Sequence, residues 1–306
     1  MTKQHSAERK SDKPLAVGLG EILWDLFPDG RRLGGAPANF AYHIHHLGFR
    51  GVPVSRVGRD APGDAIVERL NTLGVDGTAV QRDDKRPTGT VTVELTEDGE
   101  PTFTIHEDVA WDRLVWTDEL EALAKACDVV CFGTLCQRSS LSRQTIRRFL
   151  RATPENCIRL LDVNLRQPYT SAAIVEASLH LANVLKLNEE EFPVVCRMTG
   201  VSGPEDARLS TLLAEYDLCA AALTRGSRGS VLRTREVRAD CAGDAASGGD
   251  AVGAGDAFAA ALAAGLYEGA APGTINRAAN RLGAFVAGQN GGTPPIPEPL
   301  AEQLWA

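Results

Sequence analysis

The stretch DAVGAGDAF (residues 250–258) holds a carboxylate on either side of a turn made almost wholly of Gly and Ala, and an alanine-rich run follows it. Such a run favours a helix, so the turn opens a helix whose first N–H groups lack an intrahelical partner. In one interpretation Asp256 merely caps this helix. In the other, the N–H groups of residues 253–255 bind an anion while Asp256 removes a proton. Gly-rich turns often precede helices, so other parts of the sequence must decide.

Most of the chain alternates between short apolar runs and amphipathic stretches. The runs predicted as strands are 15–22, 51–58, 128–135, 158–165, 183–188, 217–224 and 230–235. The stretches predicted as helices, with apolar residues at three- and four-residue spacing, are 64–74, 118–126, 142–152, 171–182 and 205–216. This alternation predicts an α/β fold with a doubly wound, mostly parallel sheet that carries helices on both faces.

Two segments depart from this alternation. Residues 22–35 indicate a hairpin with an Asp-Gly turn, and residues 88–108 alternate with period two around another Asp-Gly. Together they predict a small β-sheet that stands off the main domain as a lid. We expect residues 1–14, which are polar and mixed in charge, to form a disordered tail, and residues 15–306 to form one folding unit.

Composition excludes several classes of protein. The chain has 306 residues, 43% of them hydrophobic, and a net charge of -8, which disfavours a general binder of nucleic acid or anionic membrane. Neither a signal sequence nor a membrane-spanning run is present, so we expect a soluble, cytoplasmic protein. Scattered cysteines without a C-x-x-C pair predict buried free thiols: Cys127, Cys131, Cys136, Cys157, Cys196, Cys219 and Cys241.

Polar residues cluster after the predicted strands, where open parallel sheets bind ligands. One predicted strand ends in Asp162, Asn164 and Arg166, and the next ends at Asn188, with Glu191 in the following helix. An Asn and a Glu three residues apart can both reach a hydrated Mg²⁺. Alternatively, the acids at 189–191 only place negative charge at a helix start, which leaves the Asn unexplained.

Glycine-rich turns provide further candidates. Gly226 and Gly229 can expose N–H groups to phosphates, an interpretation that Arg225 and Arg228 favour, although a plain β-turn explains the loop equally well.

Residues 31–48 combine such a turn with a helix. Gly34 and Gly35 allow close approach of the backbone, and Asn39 then lies on the first helical turn, where it can contact a ligand hydroxyl. Asp25, on a predicted strand, can accept sugar hydroxyls, but an exposed strand Asp is equally consistent. On the same helix, His43 and His46 are interpreted as a solvated or packed pair rather than a metal site, because no third ligand is evident.

The combination of motifs is more specific than any one of them. GGAPANFA (34–41), DVNLR (162–166), NEEE (188–191), TRGSRG (224–229) and DAVGAGDAF (250–258) occur in an order and at spacings that resemble the ribokinase/PfkB-like carbohydrate kinases. The resemblance runs from about residue 14 to 300. It implies ATP-dependent phosphorylation of a sugar hydroxyl on a ribokinase-like fold with a small β-lid.

The resemblance also implies roles for individual residues. Asp256 would be the catalytic base, with Gly253, Ala254 and Gly255 as the anion hole. Asn188 and Glu191 would arrange Mg²⁺, through water, and the phosphates. The nucleotide would contact Thr224, Gly226, Gly229 and Asn280, and the sugar would contact Asp25, Gly34, Gly35, Asn39 and Arg166. Asp250 and main-chain carbonyls of 289–293 would form a K⁺ site of the kind some members have. Ala251, Val252 and Arg225 depart from the family pattern, but outside the catalytic chemistry.

The substrate is less well defined by the sequence. GGAPAN and GEILWDLFP resemble the fructokinase branch, and the 34–41 turn lacks a Lys for a sugar phosphate, although Arg31 and Arg32 are nearby. We therefore expect a free sugar, with fructose first, then ribose or 2-keto-3-deoxygluconate, then a nucleoside. A non-catalytic sugar- or nucleotide-binding protein is a further alternative, which the presence of Asp256 disfavours. A homodimer through the lid strands is compatible with the sequence but not required by it.

Overall fold

The computed structural model describes residues 13–95, 101–244, 246 and 248–305. Residues 1–12 of the expected tail lie outside this part of the chain, as does the Asp-Gly turn expected at 98–99. Pro14, the last residue of the expected tail, accepts a hydrogen bond from the Arg50 N–H at 2.8 Å.

Most strands follow the apolar runs of the sequence. In chain order they are β1 (Leu15–Leu19), β2 (Leu23–Phe27), β3 (Gly30–Gly34), β4 (Arg50–Gly58), β5 (Val80–Asp83), β6 (Thr90–Leu95), β7 (Pro101–Ile105), β8 (Val129–Phe132), β9 (Ile158–Asp162), β10 (Val184–Asn188), β11 (Ala220–Thr224), β12 (Ser230–Thr234) and β13 (Arg238–Cys241). All the strands predicted for the main sheet are confirmed. The short strands β5 and β13 were not predicted, because at least half of the residues in each are polar.

The helices are α1 (Ala36–His46), α2 (Ala61–Thr72), α3 (Asp118–Lys125), α4 (Ser140–Ala152), α5 (Ala172–Leu179), α6 (Glu191–Thr199), α7 (Glu205–Glu215), α8 (Ala254–Tyr267), α9 (Pro272–Ala287) and α10 (Glu298–Gln303). The predicted helices are confirmed, although several begin or end a few residues from the predicted limits. Short 3₁₀ turns lie at Ala110–Arg113, Leu135–Arg138 and Gly226–Arg228.

The large sheet has the strand order β13-β12-β11-β10-β9-β8-β1-β4-β5. Its strands pair in parallel from β5 to β11, and β12 and β13 add antiparallel pairings at the far edge. Alternate residues of β1 enter different cores: Val17 and Leu19 pack on one face, and Ala16 packs with α8 and α9 on the other. The doubly wound α/β fold is therefore confirmed, and the carboxyl ends of the parallel strands share one edge.

A separate four-stranded sheet, which we call the lid sheet, has the order β3-β2-β6-β7. Each hairpin is antiparallel, and β2 joins β6 in parallel. In the first hairpin Phe27 pairs with Gly30, so the turn residues are Pro28 and Asp29 rather than the predicted Asp-Gly pair. Gly30 instead begins β3 with a positive φ of 143°.

The prediction that the cysteines are buried free thiols is only partly correct. Most cysteines are buried free thiols, but Cys219 is exposed and Cys241 is half-buried. His43 is buried, and its Nε2–H donates to the Gly292 carbonyl at 2.9 Å. Burial lowers the pKa of His43 to about 4, so the ring is neutral. Across the described residues no group of His, Cys, Asp or Glu could hold a metal ion, and no helix is long and apolar enough to cross a membrane.

Candidate active site

The start of α8 lies at the carboxyl edge of the large sheet and carries Asp256. Gly253 precedes the helix with a φ of 79°, and its carbonyl accepts the N–H of Ala257 at 2.9 Å. A β-carbon on Gly253 would lie 2.5 Å from the Gly292 Cα, so glycine is required there both for conformation and for space. The first N–H groups of α8 have no intrahelical acceptor, and that of Ala254 donates to the Ala251 carbonyl at 3.4 Å.

Asp256 is almost fully buried, with 9% of its surface exposed. Its Oδ2 accepts a hydrogen bond of 2.8 Å from Asn39 Nδ2, which α1 supplies from its first turn. Asn39, expected at the sugar, therefore contacts the candidate base directly. Gly292 packs against the same amide, because a β-carbon there would lie 2.5 Å from Asn39 Nδ2.

Lys186 was not predicted as a site residue. It lies on the central strand β10 with 6% of its surface exposed, and its Nζ donates to both oxygens of Asp162 on β9 at 3.0 Å. A β-carbon on Gly255 would lie 2.9 Å from this Nζ, so the ammonium group lies directly beneath the start of α8. Asp162, expected to face a ligand, instead pairs with Lys186.

Burial and neighbouring charges have opposite effects on the pKa values of Asp256 and Lys186. Burial raises the pKa of Asp256, while the Asn39 hydrogen bond and the charges of Lys186 and Arg166 partly offset that rise. Burial alone would lower the pKa of Lys186, but Asp162, Glu191 and Asp256 raise it, so the ammonium stays charged. The carboxylate of Asp256 is thus a strong proton acceptor beside fixed positive charge.

The lid sheet adds a second carboxylate. Asp25 lies on β2, and a β-carbon on Gly34 would overlap its Oδ2, so Gly34 leaves room for this side chain. Burial raises the pKa of Asp25 to about 6, with Arg166 and Arg32 lowering it in part. Arg166 follows β9, is exposed, and acts electrostatically on Asp25 and Asp256, so these predicted site residues lie near one another.

Glu21 was not predicted as a site residue. It follows β1, is 4% exposed, and its backbone carbonyl would lie 2.5 Å from a β-carbon on Gly35. Burial raises its pKa to about 7, and the charges of Arg166 and Asp256 also act on it. An acid at the end of an otherwise apolar strand is the signal that could have indicated it.

A cavity of about 370 Å³ opens beside the start of α8. Its lining brings together most of the predicted nucleotide contacts with the predicted anion hole: Thr224, Gly226, Gly229, Ala254, Gly255 and Asn280. Phe258, Gly283, Ala284 and Ala287 give it an apolar wall.

The arginines of the 224–229 loop do not serve this cavity in the way the sequence suggested. Arg225 donates to both oxygens of Glu205 at 2.6 and 2.7 Å, and Arg228 pairs with Glu189. Both guanidinium groups therefore have carboxylate partners. The Gly229 N–H, expected to face phosphates, instead donates to the Gly226 carbonyl at 3.0 Å.

Asn188 ends β10 and Glu191 begins α6, so the two lie together beyond the carboxyl end of one strand. Asn188 Oδ1 accepts the N–H groups of Glu190 and Glu191 at 2.9 and 2.8 Å, so it caps the start of α6. Glu191 accepts the N–H of Leu165 at 2.9 Å and that of Asn188 at 2.8 Å. The Asn therefore has a structural explanation after all. These oxygens keep lone pairs for water, which fits contact with Mg²⁺ through water rather than direct ligation.

Asp250 is held by the chain around it. Its Oδ2 accepts from Arg32 Nη1 at 3.3 Å, and its Oδ1 accepts the N–H groups of Val252 and Gly291, both at 3.1 Å. The carboxylate therefore pairs with a guanidinium, which makes it a poor direct ligand for K⁺. It links the 250–253 turn to the loop that contains Gly291 and Gly292.

Comparison with known proteins agrees with this geometry. The Escherichia coli fructokinase is 31% identical over 229 residues, which are 70% of this chain and 72% of that protein. A Pyrococcus horikoshii sugar kinase in complex with ATP superimposes with a TM-score of 0.78 at 26% identity, over 95% of this chain and all (100%) of that chain. A Vibrio cholerae fructokinase variant bound to fructose, ADP and potassium ion superimposes with a TM-score of 0.78 at 25% identity. The match covers 97% of this chain and 100% of that chain. Residues 29–299 match the model of the pfkB family carbohydrate kinases, and the chain belongs to that family.

Proposed function

We propose that the protein transfers the γ-phosphoryl group of Mg-ATP to a hydroxyl of a free sugar, with fructose as the first candidate. The observation that carries this proposal is the buried Asp256 carboxylate at the open start of α8, beside a cavity of about 370 Å³. Family membership and the fructokinase relatives support the same reaction class.

Asp256 is the general base in this mechanism. It accepts the proton of the attacking hydroxyl, and the Asn39 amide, 2.8 Å away, fixes the carboxylate toward the site. Its raised pKa makes it a better proton acceptor than an ordinary Asp once it is ionised.

The N–H groups of residues 253–255 stabilise the charge that spreads over the transferring phosphoryl oxygens. Fixed backbone donors of this kind are typically worth ~3 kcal/mol each, because they need no reorganisation. Lys186 adds a buried positive charge beneath the same turn. Asn188 and Glu191 would hold the waters of a Mg²⁺ ion bound with the nucleotide, and this ion would neutralise further phosphate charge.

The sugar lies between the lid sheet and the start of α8 in this proposal. Asp25 and Arg166 contact it, Gly34 and Gly35 allow its close approach, and Asn39 orients the base. Closure of the lid sheet excludes water that would otherwise hydrolyse ATP. Of the two cations near the 34–41 turn, Arg32 is already paired with Asp29 and Asp250, which makes it less suited to bind a sugar phosphate.

The test is a coupled ADP-release assay with Mg-ATP across fructose, ribose, 2-keto-3-deoxygluconate, fructose 6-phosphate and several nucleosides, with and without K⁺. We expect strong turnover on one free sugar, fructose first. Turnover on a nucleoside or a sugar phosphate alone would reject the free-sugar proposal. Silence on every acceptor, from folded protein that binds ATP, would favour a non-catalytic binding protein. A K⁺ response would support a monovalent-cation site of the kind expected at the main-chain carbonyls of 289–293.

A further inference from the structure

Arg32 extends from the lid sheet to the turn that precedes α8. It lies on β3, directly opposite Asp25 on β2. Its Nη1 donates to Asp250 Oδ2 at 3.3 Å, and its Nη2 pairs with the exposed Asp29 at 2.8 Å. The guanidinium also lies over the Phe27 ring, 4.0 Å from the ring centroid. Its own hairpin therefore holds Arg32 in contact with a carboxylate of the large domain.

The Asp250 carboxylate fixes the turn at residues 250–253. Its Oδ1 accepts the N–H of Val252 at 3.1 Å, which closes a side-chain turn around Ala251. Ala251 has a φ of 56°, a left-handed conformation that is unfavourable for a residue with a β-carbon. The turn therefore depends on this carboxylate for its shape, and it leads directly into the predicted anion hole.

Hydrogen-bond donors occupy this carboxylate fully. An ionised carboxylate offers about four lone-pair sites. Oδ1 accepts from Val252 and Gly291, and Oδ2 accepts from Gly291 at 3.0 Å and from Arg32. The hydrogens of these donors carry partial positive charge, which repels a metal cation. The Asp250 side chain therefore does not fit the K⁺ ion that the family resemblance implies there, and the positive charge beside it is the guanidinium.

The same loop reaches the candidate base. Gly292 follows Gly291, and a β-carbon on Gly292 would lie 2.5 Å from Asn39 Nδ2, which donates to Asp256. A β-carbon on Gly253 would lie 2.5 Å from the Gly292 Cα. Because close-packed groups transmit displacements, a shift of this loop would move both the start of α8 and the amide that orients the base.

We propose that Arg32 is a positioning residue for phosphoryl transfer. Its guanidinium joins the lid sheet to Asp250 and supplies, from within the chain, the positive charge that a free monovalent cation would otherwise bring. Since Arg32 lies opposite Asp25, ordering of the lid sheet by the sugar also orders the turn at 250–253. Turnover therefore needs no K⁺, and loss of Arg32 opens a lone pair of Asp250 to an external cation. This inference rests on the proposed function.

Steady-state kinetics of the full chain test the inference, with the acceptor that the ADP-release assay selects, in choline chloride, NaCl or KCl of equal ionic strength. We expect the wild-type kcat to be the same in all three salts. Arg32→Ala should lower kcat by about 10-fold in choline chloride, because the anion hole is then less well positioned. KCl, or guanidinium ion at non-denaturing concentration, should restore much of that loss. Arg32→Lys, which keeps the charge, should lose less than Arg32→Ala.

Arg31→Ala is the matched control. The Arg31 guanidinium lies over the Trp24 ring, 4.6 Å from the centroid, so this variant should keep the wild-type kcat and its indifference to the salt.

Several-fold stimulation of wild type by KCl would overturn the inference, as would a near-normal kcat in Arg32→Ala. A loss that neither added cation nor Arg32→Lys restores would show a purely structural role and would also overturn it. If wild type turns over no acceptor, the proposed function fails, and thermal melting in the three salts still tests the inference. A wild-type Tm that KCl alone raises would contradict it, whereas a Tm that KCl raises only in Arg32→Ala would support it.

Discussion

The two carboxylates expected to contact the substrate have very different supports. Asp256 lies among side chains from α1, β9 and β10. We call the cluster the floor; it consists of Asp256, Asn39, Lys186 and Asp162. Bonds of 2.8 Å to Asn39 and 3.0 Å between Lys186 and Asp162 join these elements. Asp25 lies on a hairpin of the lid sheet, where Gly34 leaves room for its side chain. Arg32, on the facing strand, pairs with Asp29 and Asp250 rather than with Asp25.

This difference indicates a division of labour. A group that reacts must stay within a fraction of an ångström of its productive position, and four packed elements provide that rigidity. A group that only binds must let substrate enter and product leave, which a hairpin permits. We therefore expect changes to the floor to alter kcat and changes to the lid sheet to alter KM.

The largest expected effect is that of Asp256→Asn. The variant keeps the shape and can still face Asn39, but it loses the proton acceptor. General-base removal typically costs about 10²–10⁴ in rate, so kcat should fall by at least 10²-fold while sugar still binds. Steady-state kinetics with calorimetric sugar binding measure this. Near-normal turnover would show that Asp256 is not the base, and it would contradict the expectation that changes to the floor alter kcat.

Lys186→Met tests whether the buried charge of Lys186 contributes to catalysis as well as to stability. Breaking a buried ion pair on one side typically costs about 3–5 kcal/mol of unfolding free energy, because Asp162 is left unpaired. We expect kcat to fall on the order of 10-fold through loss of the positive charge under the Gly255 turn.

The double variant Lys186→Met/Asp162→Leu separates the two effects. It should recover much of the stability in urea unfolding, since neither charge remains unpaired, while kcat stays low. Recovery of kcat together with stability would show that the pair is only structural.

Asp25→Ala addresses the lid sheet. Loss of a charged acceptor for sugar hydroxyls should raise the sugar KM by about 10- to 100-fold, with the KM for ATP nearly unchanged. Asp29→Ala on the same hairpin is the control, since Asp29 is exposed and its ion pair among the described residues is with Arg32. A rise in the ATP KM with unchanged sugar KM would reverse our placement of the two substrates.

The smallest expected effect is on pH dependence. Burial raises the pKa of Asp256, so the acid limb of kcat should lie at higher pH than for an ordinary Asp. The Asn39 hydrogen bond favours the ionised form, so Asn39→Ala should move that limb to still higher pH. Its kcat should therefore fall most on the acid side of the profile and change least at alkaline pH. An unmoved limb would mean that Asn39 serves the sugar rather than the base.

Sequence reasoning predicted the fold well because the alternation of apolar runs and amphipathic stretches is a local property. It also gathered Asp256, Asn39, Asp25 and Arg166 into one site, since each lies in a motif. The partners of side chains are set by packing between distant segments, which periodicity does not report. For this reason Lys186 and Glu21 were missed, and the pairing of Arg225 with Glu205 was not foreseen.

The claim that Asp256 acts as the base in phosphoryl transfer to a sugar can be tested most directly by ³¹P NMR. The sample is the full chain with Mg-ATP and the sugar that the assay selects. We predict that ADP and a sugar phosphomonoester appear in equal amounts with wild type, and that both are suppressed together by Asp256→Asn. Inorganic phosphate in place of the ester, or an ester formed equally fast by Asp256→Asn, would contradict the account.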